Sequence, residues 1–566
     1  MLEKGDIIVV PIEDVSDQGQ GIGHVDGMAV FASYGLPGDV VKVEITKAKK
    51  RYVFGKTLEI ETYSPDRIKA VCPYTEICGG CQYQELTPKA QRQLKEKQIH
   101  DKLTRLAGLA NPLIHPMVWE EENTGYRNKA VFHISTGGNQ KKRGGIIVPL
   151  GNLAIGFMKK GSYQVFDCKK CMLQMPSATA AADAMRRFMT EDHITAYDPK
   201  WNQGLMKQMT VRSSKITGQV MVILTIHGKG IPGVEKLIGL LDDAIYEAGF
   251  SLESVYIETE KAVTCIAGSR TIKDTLGDLT FEIGPRSFYQ VDDSMTEKMY
   301  SKVKECAALT GKETVLDLHC GIGTIGLYCM DREGSRKPGA KFVLGIESNP
   351  QAILDANRNA VINGIVDIRY IEGKAEEILP QLLENQEDET LCQAAQSADV
   401  VILDPPRAGC KPELLEAVSK VAPNRIVYMS CDPGTQARDI KLLATMGYQF
   451  VEITPFENFP WTGHVETVAL LSKLNVDKHI SVEIELDELD LTSAESKATY
   501  EQIKEYVLEK FGFKVSTLYI AQIKKKCGIE LRENYNKSKK EKQVIPQCTP
   551  EKEDAIMDAL RHFKMI

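Results

Sequence analysis

The stretch TVLDLHCGIGTIGL, residues 314–327, decides the fold of the second half of this 566-residue chain. Its apolar beginning is typical of a buried strand that ends at Asp317, and the glycines that follow let the backbone turn tightly against a nucleotide. Residues 342–346 predict a second strand that leads to Glu347, whose carboxylate can accept hydrogen bonds from both hydroxyls of a ribose. The pattern therefore predicts a doubly wound α/β sheet with a nucleotide-binding crevice.

A glycine-rich turn alone also fits a dehydrogenase, so a second motif has to identify the nucleotide. A further apolar run, residues 399–403, leads into Asp404-Pro-Pro-Arg. This sequence is similar to the fourth motif of many S-adenosylmethionine-dependent methyltransferases, in which substrate and cofactor meet at the end of strand four. Strands and helices alternate from residue 276 to residue 475, and we expect this range to be a Rossmann-like methyltransferase domain.

A cysteine and a glutamate follow at the same predicted edge of the sheet. Residues 425–429 predict a strand that leads to Cys431 in SCDPG, and Glu466 in HVET comes just before the final strand. Carbon 5 of uracil is a poor nucleophile until a group adds to carbon 6, and a thiolate is suited to that addition. A carboxylate can then remove the hydrogen from carbon 5. The two residues predict methylation of carbon 5 of a uracil.

Four motifs appear in a fixed order along the chain: Gln290 in SFYQV, Asp404 in DPPR, Cys431 in SCDP and Glu466 in HVET. They resemble the RNA uracil-C5 methyltransferase family, and the resemblance covers residues 1–475. It implies that Cys431 is the nucleophile, that Glu466 accepts the proton and that Phe288 lies near a flipped base. The same resemblance implies four residues at the S-adenosylmethionine site: Gln290, His319, Glu347 and Asp404. His319 stands where relatives usually carry Phe or Tyr.

The first 62 residues predict a small β-barrel. Short apolar runs alternate with turn-rich segments such as QGQGIG, residues 18–23, and about five strands fit this length. The segment resembles the TRAM domain, an OB-like RNA-binding module. A basic strand, residues 47–56, carries Tyr52 and Phe54, a combination that fits contact with an RNA backbone and stacking on bases.

A cysteine-rich segment belongs to the predicted central α+β domain, residues 63–275. Cys72, Cys78 and Cys81 lie close together, and Cys168 and Cys171 follow later. Thiolates in such an arrangement hold an iron–sulfur cluster or zinc. The two CxxC pairs satisfy a zinc ribbon, whereas the extra Cys72 is needed only by a cluster with three local ligands and a distant one. Family members share this arrangement with a [4Fe–4S] cluster, and the resemblance favours Cys171, in CMLQ, over Cys168 as the distant ligand.

Composition and charge limit the location and the partners. The net charge is −7, the beginning of the chain lacks a signal-peptide pattern, and no run of about 18 apolar residues occurs. We therefore expect a cytoplasmic protein with thiols rather than disulfides, no membrane contact and no obligate protein partner. The barrel and the cysteines resemble the ribosomal-RNA branch of the family, which implies 23S ribosomal RNA rather than transfer RNA as the partner. Residues 476–566 predict a helical appendage with a helix-turn-helix outline, and Thr499 predicts the start of its first helix.

Two other functions fit parts of the pattern. An N-methyltransferase that acts on an exocyclic amine of guanine or adenine in RNA also uses Asp-Pro-Pro, but it would leave Cys431 and Glu466 without a role. A non-catalytic RNA-binding protein on a methyltransferase scaffold would leave the crevice without a role as well. The thiol, the carboxylate and the crevice together favour the uracil-C5 reaction.

Overall fold

The computed structural model describes residues 2–16, 19–141, 147–149, 151–330, 338–384, 388–474, 500–513, 515, 517–527 and 550–563. The chain divides into two compact units, Met1–Val476 and Asp477–Ile566. Within the stretches just given, no helix combines the length and the apolar character needed to cross a membrane.

A closed barrel begins the first unit, as predicted. Its strands are β1 (Ile7–Val15), β2 (Gly21–Val25), β3 (Met28–Ala32), β4 (Val40–Ala48) and β5 (Tyr52–Thr62), in the order β1-β2-β3-β5-β4. Branched apolar side chains such as Val10, Val43 and Val53 fill the barrel core. Gly23 permits the close approach of β1 and β2, because a Cβ at this position would lie 2.1 Å from the carbonyl oxygen of Pro11.

The middle region of this unit combines a long helix with a seven-stranded sheet. Helix α1 (Pro88–Lys102) begins after Thr87, whose hydroxyl accepts the Ala90 N–H, and it continues as one π-helical turn, Leu103–Ala107. The sheet has the order β10-β9-β6-β11-β12-β13-β14, and its strands are β6 (Lys129–Ser135), β9 (Ala154–Met158), β10 (Val165–Asp167), β11 (Met206–Ser213), β12 (Gln219–Ile226), β13 (Ser251–Glu258) and β14 (Val263–Gly268). A small ribbon is formed by β7 (Asn139–Lys141) and β8 (Ile147–Pro149). The sheet shares one core with α2 (Pro176–Glu191) and α3 (Val234–Glu247).

A second seven-stranded sheet has the parallel α/β arrangement that the sequence predicts. After the hairpin β15 (Ile272–Leu276)–β16 (Leu279–Ile283) and α4 (Asp293–Ala307), its strands are β17 (Thr314–Leu318), β18 (Phe342–Glu347), β19 (Ile368–Glu372), β20 (Val400–Leu403), β21 (Arg425–Ser430), β22 (Tyr448–Phe456) and β23 (Glu466–Lys473). The helices are α5 (Thr324–Cys329), α6 (Pro350–Ile362), α7 (Ala375–Glu384), α8 (Glu389–Gln396), α9 (Pro412–Val421) and α10 (Pro433–Thr445). The order is β19-β18-β17-β20-β21-β23-β22, with parallel pairs from β19 to β21 and β23 antiparallel to both neighbours.

The second unit is helical in its described residues. They form α11 (Tyr500–Phe511), α12 (Thr517–Lys526) and α13 (Pro550–His562), which share an apolar core that includes Ile503 and Ile556. Lys526, at the basic end of α12, forms an ion pair with Glu553 of α13. Thr499, which predicts the start of the first helix, lies outside the described residues.

Candidate active site

Most of the predicted site residues lie at one edge of the second seven-stranded sheet. Four of them stand at or just after the ends of neighbouring strands: His319, Glu347, Asp404 and Cys431. These strands are parallel, so their carboxyl ends meet at the edge where such sheets bind ligands. Strand β23 runs antiparallel to β21, and their last register pair joins Ser430 to Thr467. Glu466 therefore lies beside Cys431.

The glycine turn between β17 and α5 forms one wall of the crevice. The Gly321 N–H donates to Oε2 of Glu347 at 3.2 Å, and the other carboxylate oxygen accepts the Asn349 N–H at 2.8 Å. Gly323 has a φ of +81°, and a Cβ there would lie 2.2 Å from the hydroxyl oxygen of Tyr370, so only glycine fits. The carboxylate predicted to bind a ribose is thus held against the turn.

His319 opens this turn. Its backbone is left-handed, with a φ of +67°, and its N–H donates to the Ile346 carbonyl oxygen at 2.9 Å. Burial lowers the pKa of the imidazole, so the ring is neutral at pH 7. A neutral ring at this position is chemically close to the Phe or Tyr expected in relatives.

Three carboxyl groups lie around the crevice, those of Asp317 and Glu466 buried and that of Asp404 half-buried. Burial raises the pKa of Asp317 to about 7, and burial with the charge of Asp317 raises the pKa of Asp404 to about 8. Burial and Asp404 raise the pKa of Glu466 well above its ordinary value, while Arg407 opposes the shift. Oδ2 of Asp317 accepts the Gly326 N–H at 2.9 Å, but its buried Oδ1 has no hydrogen-bond partner among the described residues. The crevice therefore favours a cationic ligand that also places a hydrogen-bond donor beside Oδ1 of Asp317.

Cys431 is half-buried and lines a small cleft of about 100 Å³. The next residue, Asp432, caps α10, and its Oδ1 accepts the Gly434 N–H at 2.8 Å. Burial and the nearby Glu466 raise the pKa of the Cys431 thiol to about 11, whereas Arg407 lowers it. The thiol is thus held at a defined helix start and is protonated at neutral pH in the free protein.

Arg407 is a site residue to which the sequence motifs assigned no role. Its guanidinium lies near the Cys431 thiol, and its charge lowers the pKa of both Cys431 and Glu466. It is the arginine of Asp-Pro-Pro-Arg, so the motif contained the signal. Lys102 of α1 and His464 line the same cleft and also come from outside the predicted set.

The segment before α4 presents Phe288 and Gln290. Phe288 is 67% exposed, whereas Gln290 is buried. Oε1 of Gln290 accepts a hydrogen bond from Nδ2 of Asn458 at 3.4 Å, and its carbonyl oxygen accepts one from Nδ2 of Asn128 at 2.7 Å. The segment is therefore braced, with an exposed aromatic ring available to a base.

The predicted metal ligands share one neighbourhood. Burial raises the pKa of Cys81 to about 12, and the charges of Cys171, Cys78 and Cys72 add to the shift. Burial likewise raises the pKa of Cys168 to about 12, and the charges of the same three thiols add to this shift. Across the described ranges, no group of three or more His, Cys, Asp or Glu side chains has the spacing of metal ligands. The thiols are neighbours, but the identity of any bound group stays a prediction.

Hydrogen-bond donors distinguish two of these thiols. Burial raises the pKa of Cys171, while the N–H groups of Leu173 and Gln174 lower it. The Gly80 N–H donates to Sγ of Cys78 at 3.3 Å. Such N–H donors stabilise thiolate ligands and tune iron–sulfur clusters.

An aromatic cluster lies on the barrel beside a basic turn. The predicted basic strand, residues 47–56, is divided in the structure, because β4 ends at Ala48, residues 49–51 connect the strands and β5 begins at Tyr52. The ring centroids of Phe31, Tyr52 and Phe54 are 5.3–5.8 Å apart. Tyr52 is 39% exposed, and residues 47–51 are exposed too. Basic and aromatic groups thus share the surface predicted to contact RNA.

Comparison with known proteins finds two matching families and several similar RNA methyltransferases. The tRNA (Uracil-5-)-methyltransferase family matches residues 265–474, and the TRAM domain matches residues 2–58. An uncharacterized RNA methyltransferase of Halalkalibacterium halodurans is 36% identical over 482 residues, which cover 84% of this chain and 98% of that protein. Another, from Caldanaerobacter subterraneus, is 36% identical over 479 residues, which cover 83% and 99%.

A solved structure agrees with these relatives. Pyrococcus abyssi tRNA (uracil-54, C5)-methyltransferase in complex with S-adenosyl-L-homocysteine superposes with a TM-score of 0.61 at 26% identity, covering 82% of this chain and 100% of that one. Fold and crevice define an S-adenosylmethionine-dependent RNA methyltransferase. The chain belongs to the RNA uracil-C5 methyltransferase family and carries an N-terminal TRAM domain. The predicted family, the reaction class and the use of S-adenosylmethionine are confirmed.

Proposed function

We propose that the protein methylates carbon 5 of a specific uridine in 23S ribosomal RNA, in the cytoplasm, with Cys431 as nucleophile and Glu466 as base. The observation that carries this mechanism is the adjacency of a half-buried thiol and a buried carboxyl at the ligand edge of the sheet. Methylation of an exocyclic amine needs neither group, which argues against the N-methyltransferase alternative.

The reaction proceeds through a covalent adduct. Cys431 loses its proton to solvent, and the thiolate adds to carbon 6 of uracil, so that the ring electrons move to the carbonyl oxygen on carbon 4 as an enolate. Carbon 5 then attacks the methyl carbon of the donor, whose carbon–sulfur bond breaks with the electron pair left on sulfur. Glu466 removes the carbon 5 proton, the 5,6 double bond re-forms and the thiolate leaves. Arg407 lowers the pKa of Cys431 and so promotes the first step.

The crevice fits the methyl donor. S-adenosylmethionine supplies an electrophilic methyl group on a positively charged sulfur. Four residues would line its site: Gln290, His319, Glu347 and Asp404. The acid groups around the crevice favour that charge, and Oδ1 of Asp317, which has no hydrogen-bond partner among the described residues, offers an acceptor. Glu347, held at the glycine turn, would bind the ribose hydroxyls.

Mapping 5-methyluridine tests the choice of RNA. The barrel and the cysteine segment support ribosomal RNA through the family resemblance, whereas the Pyrococcus abyssi relative acts on transfer RNA. A strain without this gene should lose one 5-methyluridine from 23S ribosomal RNA, and the wild-type gene should restore it. The Cys431→Ala gene serves as the matched control and should restore nothing. Loss of the modification from transfer RNA alone would move the substrate there, and loss of N-methylated bases would overturn the reaction.

We further propose four domains, residues 1–62, 63–275, 276–475 and 476–566, and a [4Fe–4S] cluster in the second. The cysteines that would hold it are Cys72, Cys78, Cys81 and Cys171. Their mutual proximity and the N–H donors at Cys78 and Cys171 fit a thiolate-ligated cluster. Methyl transfer consumes no electrons, so the cluster would hold the central domain together and shape the RNA surface. Zinc bound by the two CxxC pairs is the alternative.

The colour of the purified protein distinguishes an iron–sulfur cluster from zinc at the cysteine site. Protein purified without oxygen should be brown, because thiolate-to-iron charge transfer absorbs visible light, and Cys72→Ala should remove the colour. Absorbance spectra and metal analysis of both proteins measure this. Cys265→Ala is the control, since Cys265 is also half-buried but lies on β14. A colourless protein with one zinc, unaffected by Cys72→Ala, would establish the ribbon and make Cys168 a ligand.

A further inference from the structure

The segment that leads to Glu466 is held by residues from outside the methyltransferase sheet. Residues 457–465 connect β22 to β23 without regular secondary structure, and we call them the base loop. Gly463, His464 and Val465 line the cleft of Cys431. Glu466 directly follows as the first residue of β23, where it pairs with Phe456, so the base loop determines how the chain enters this strand at the cleft.

Helix α1 anchors the beginning of the base loop. The ammonium group of Lys95, which is fully buried, pairs with the buried carboxylate of Glu457 and donates to the Phe459 carbonyl oxygen at 3.2 Å. Oε1 of Gln91 accepts the Trp461 N–H at 3.1 Å. Displacement of either partner would leave a buried charge unpaired, so this pair fixes the position of Glu457 and Phe459.

Residues 79–83, beside Cys78 and Cys81, anchor the middle of the base loop. The Tyr83 N–H donates to the Trp461 carbonyl oxygen at 3.0 Å. Gln82 bridges two backbones, because its Oε1 accepts the Gly463 N–H at 3.3 Å and its Nε2 donates to the Gly79 carbonyl oxygen at 3.2 Å. Gly79 lies between Cys78 and Cys81, so the Gln82 side chain joins the segment that carries these two cysteines to the base loop.

Trp461 adds a packed contact to this junction. Trp461 is 4% exposed and forms a small apolar cluster with Tyr126 and Leu173. Cys81 and Cys171 pack against this cluster. The backbone of Trp461 is left-handed, with a φ of +69°. A tryptophan in this conformation persists because its surroundings hold it, and here the surroundings include both cysteine-bearing segments.

We infer that Gln82 and Trp461 are positioning residues that place Glu466 for removal of the carbon 5 proton. The inference rests on the proposed role of Glu466 as base. In that step the carboxylate takes the hydrogen as a proton, the freed electron pair re-forms the 5,6 double bond, and the bond from carbon 6 to Sγ of Cys431 breaks with its electrons on sulfur. Cys431 itself is held by the capped start of α10, so methyl transfer depends less on the base loop.

Single-turnover kinetics test the inference. The enzyme, RNA from the deletion strain and methyl-labelled S-adenosylmethionine are mixed, quenched in denaturant and separated by gel, which resolves free methylated RNA from the protein-linked form. In Gln82→Ala, methyl transfer should stay within about threefold of the wild type, while release of the adduct slows at least about tenfold. Gln82→Glu keeps an acceptor for the Gly463 N–H and should restore most of the release rate.

Three further proteins make the result decisive. Trp461→Phe should also slow release, and Trp201→Phe, which alters a tryptophan before β11 in the middle sheet, should leave it unchanged. The visible spectrum of each variant reports whether the cysteine site is intact. In Glu466→Gln the adduct should accumulate, and its absence there would overturn the role of Glu466. Accumulation in Glu466→Gln with wild-type release in both Gln82→Ala and Trp461→Phe would overturn the positioning role alone.

Discussion

Replacing Cys431 with alanine should lower the rate of RNA methylation at least about 10⁴-fold, which corresponds to about 5.4 kcal/mol of activation free energy. Without the thiol, nothing adds to carbon 6, and carbon 5 cannot attack the methyl group. Binding of S-adenosylmethionine should change less than about twofold, because the thiol acts on the base. Transfer of label from the donor to RNA gives the first quantity, and calorimetric titration gives the second.

A substrate analogue and a control variant make this expectation specific. RNA that carries 5-fluorouridine at the target should trap the wild-type enzyme as a denaturation-resistant complex. The base removes hydrogen from carbon 5 as a proton, but it cannot remove fluorine in the same way, so the adduct cannot break down. Cys431→Ala should form no such complex. Cys265→Ala, a substitution of a half-buried cysteine on β14, should behave as the wild type in both assays. Turnover retained in Cys431→Ala would exclude the covalent mechanism.

The edge of the α/β sheet could be predicted because parallel strands are short apolar runs with special residues directly after them. Asp404 and Cys431 were found in this way, and the observed strands begin and end within two residues of the predicted ones. Arg407 received no role because its contact with Cys431 depends on the order of β20 and β21 in the sheet. That order could not be read from either motif alone.

The short strands β9 and β10 at one edge of the middle sheet and the anchoring of the base loop could not be predicted. Strands β9 and β10 have five and three residues, too few for an alternating pattern to identify them. The contacts of Lys95 with Glu457 and of Gln82 with Gly463 join positions 362 and 381 residues apart. No local periodicity encodes such pairs, so they become visible only once the chain is folded.

Replacing Glu466 with glutamine should stop the reaction after methyl transfer. Turnover should fall about 10²- to 10⁴-fold, the range expected for loss of a general base. Since carbon 5 keeps its hydrogen, the 5,6 double bond cannot re-form and the thiolate cannot leave. The methylated RNA should therefore stay linked to Cys431. Labelled methyl groups that co-migrate with denatured protein measure this adduct.

The pH dependence of the adduct provides an independent check on the same residue. Burial and Asp404 raise the pKa of Glu466, so its carboxylate fraction grows as the pH rises. In the wild type, release should therefore accelerate with pH, whereas in Glu466→Gln it should stay slow and flat. Glu452→Gln removes a carboxylate on neighbouring β22 that pairs with Lys302 at 2.9 Å, and it should release the RNA as the wild type does. Normal turnover without an adduct in Glu466→Gln would assign the proton to another acceptor.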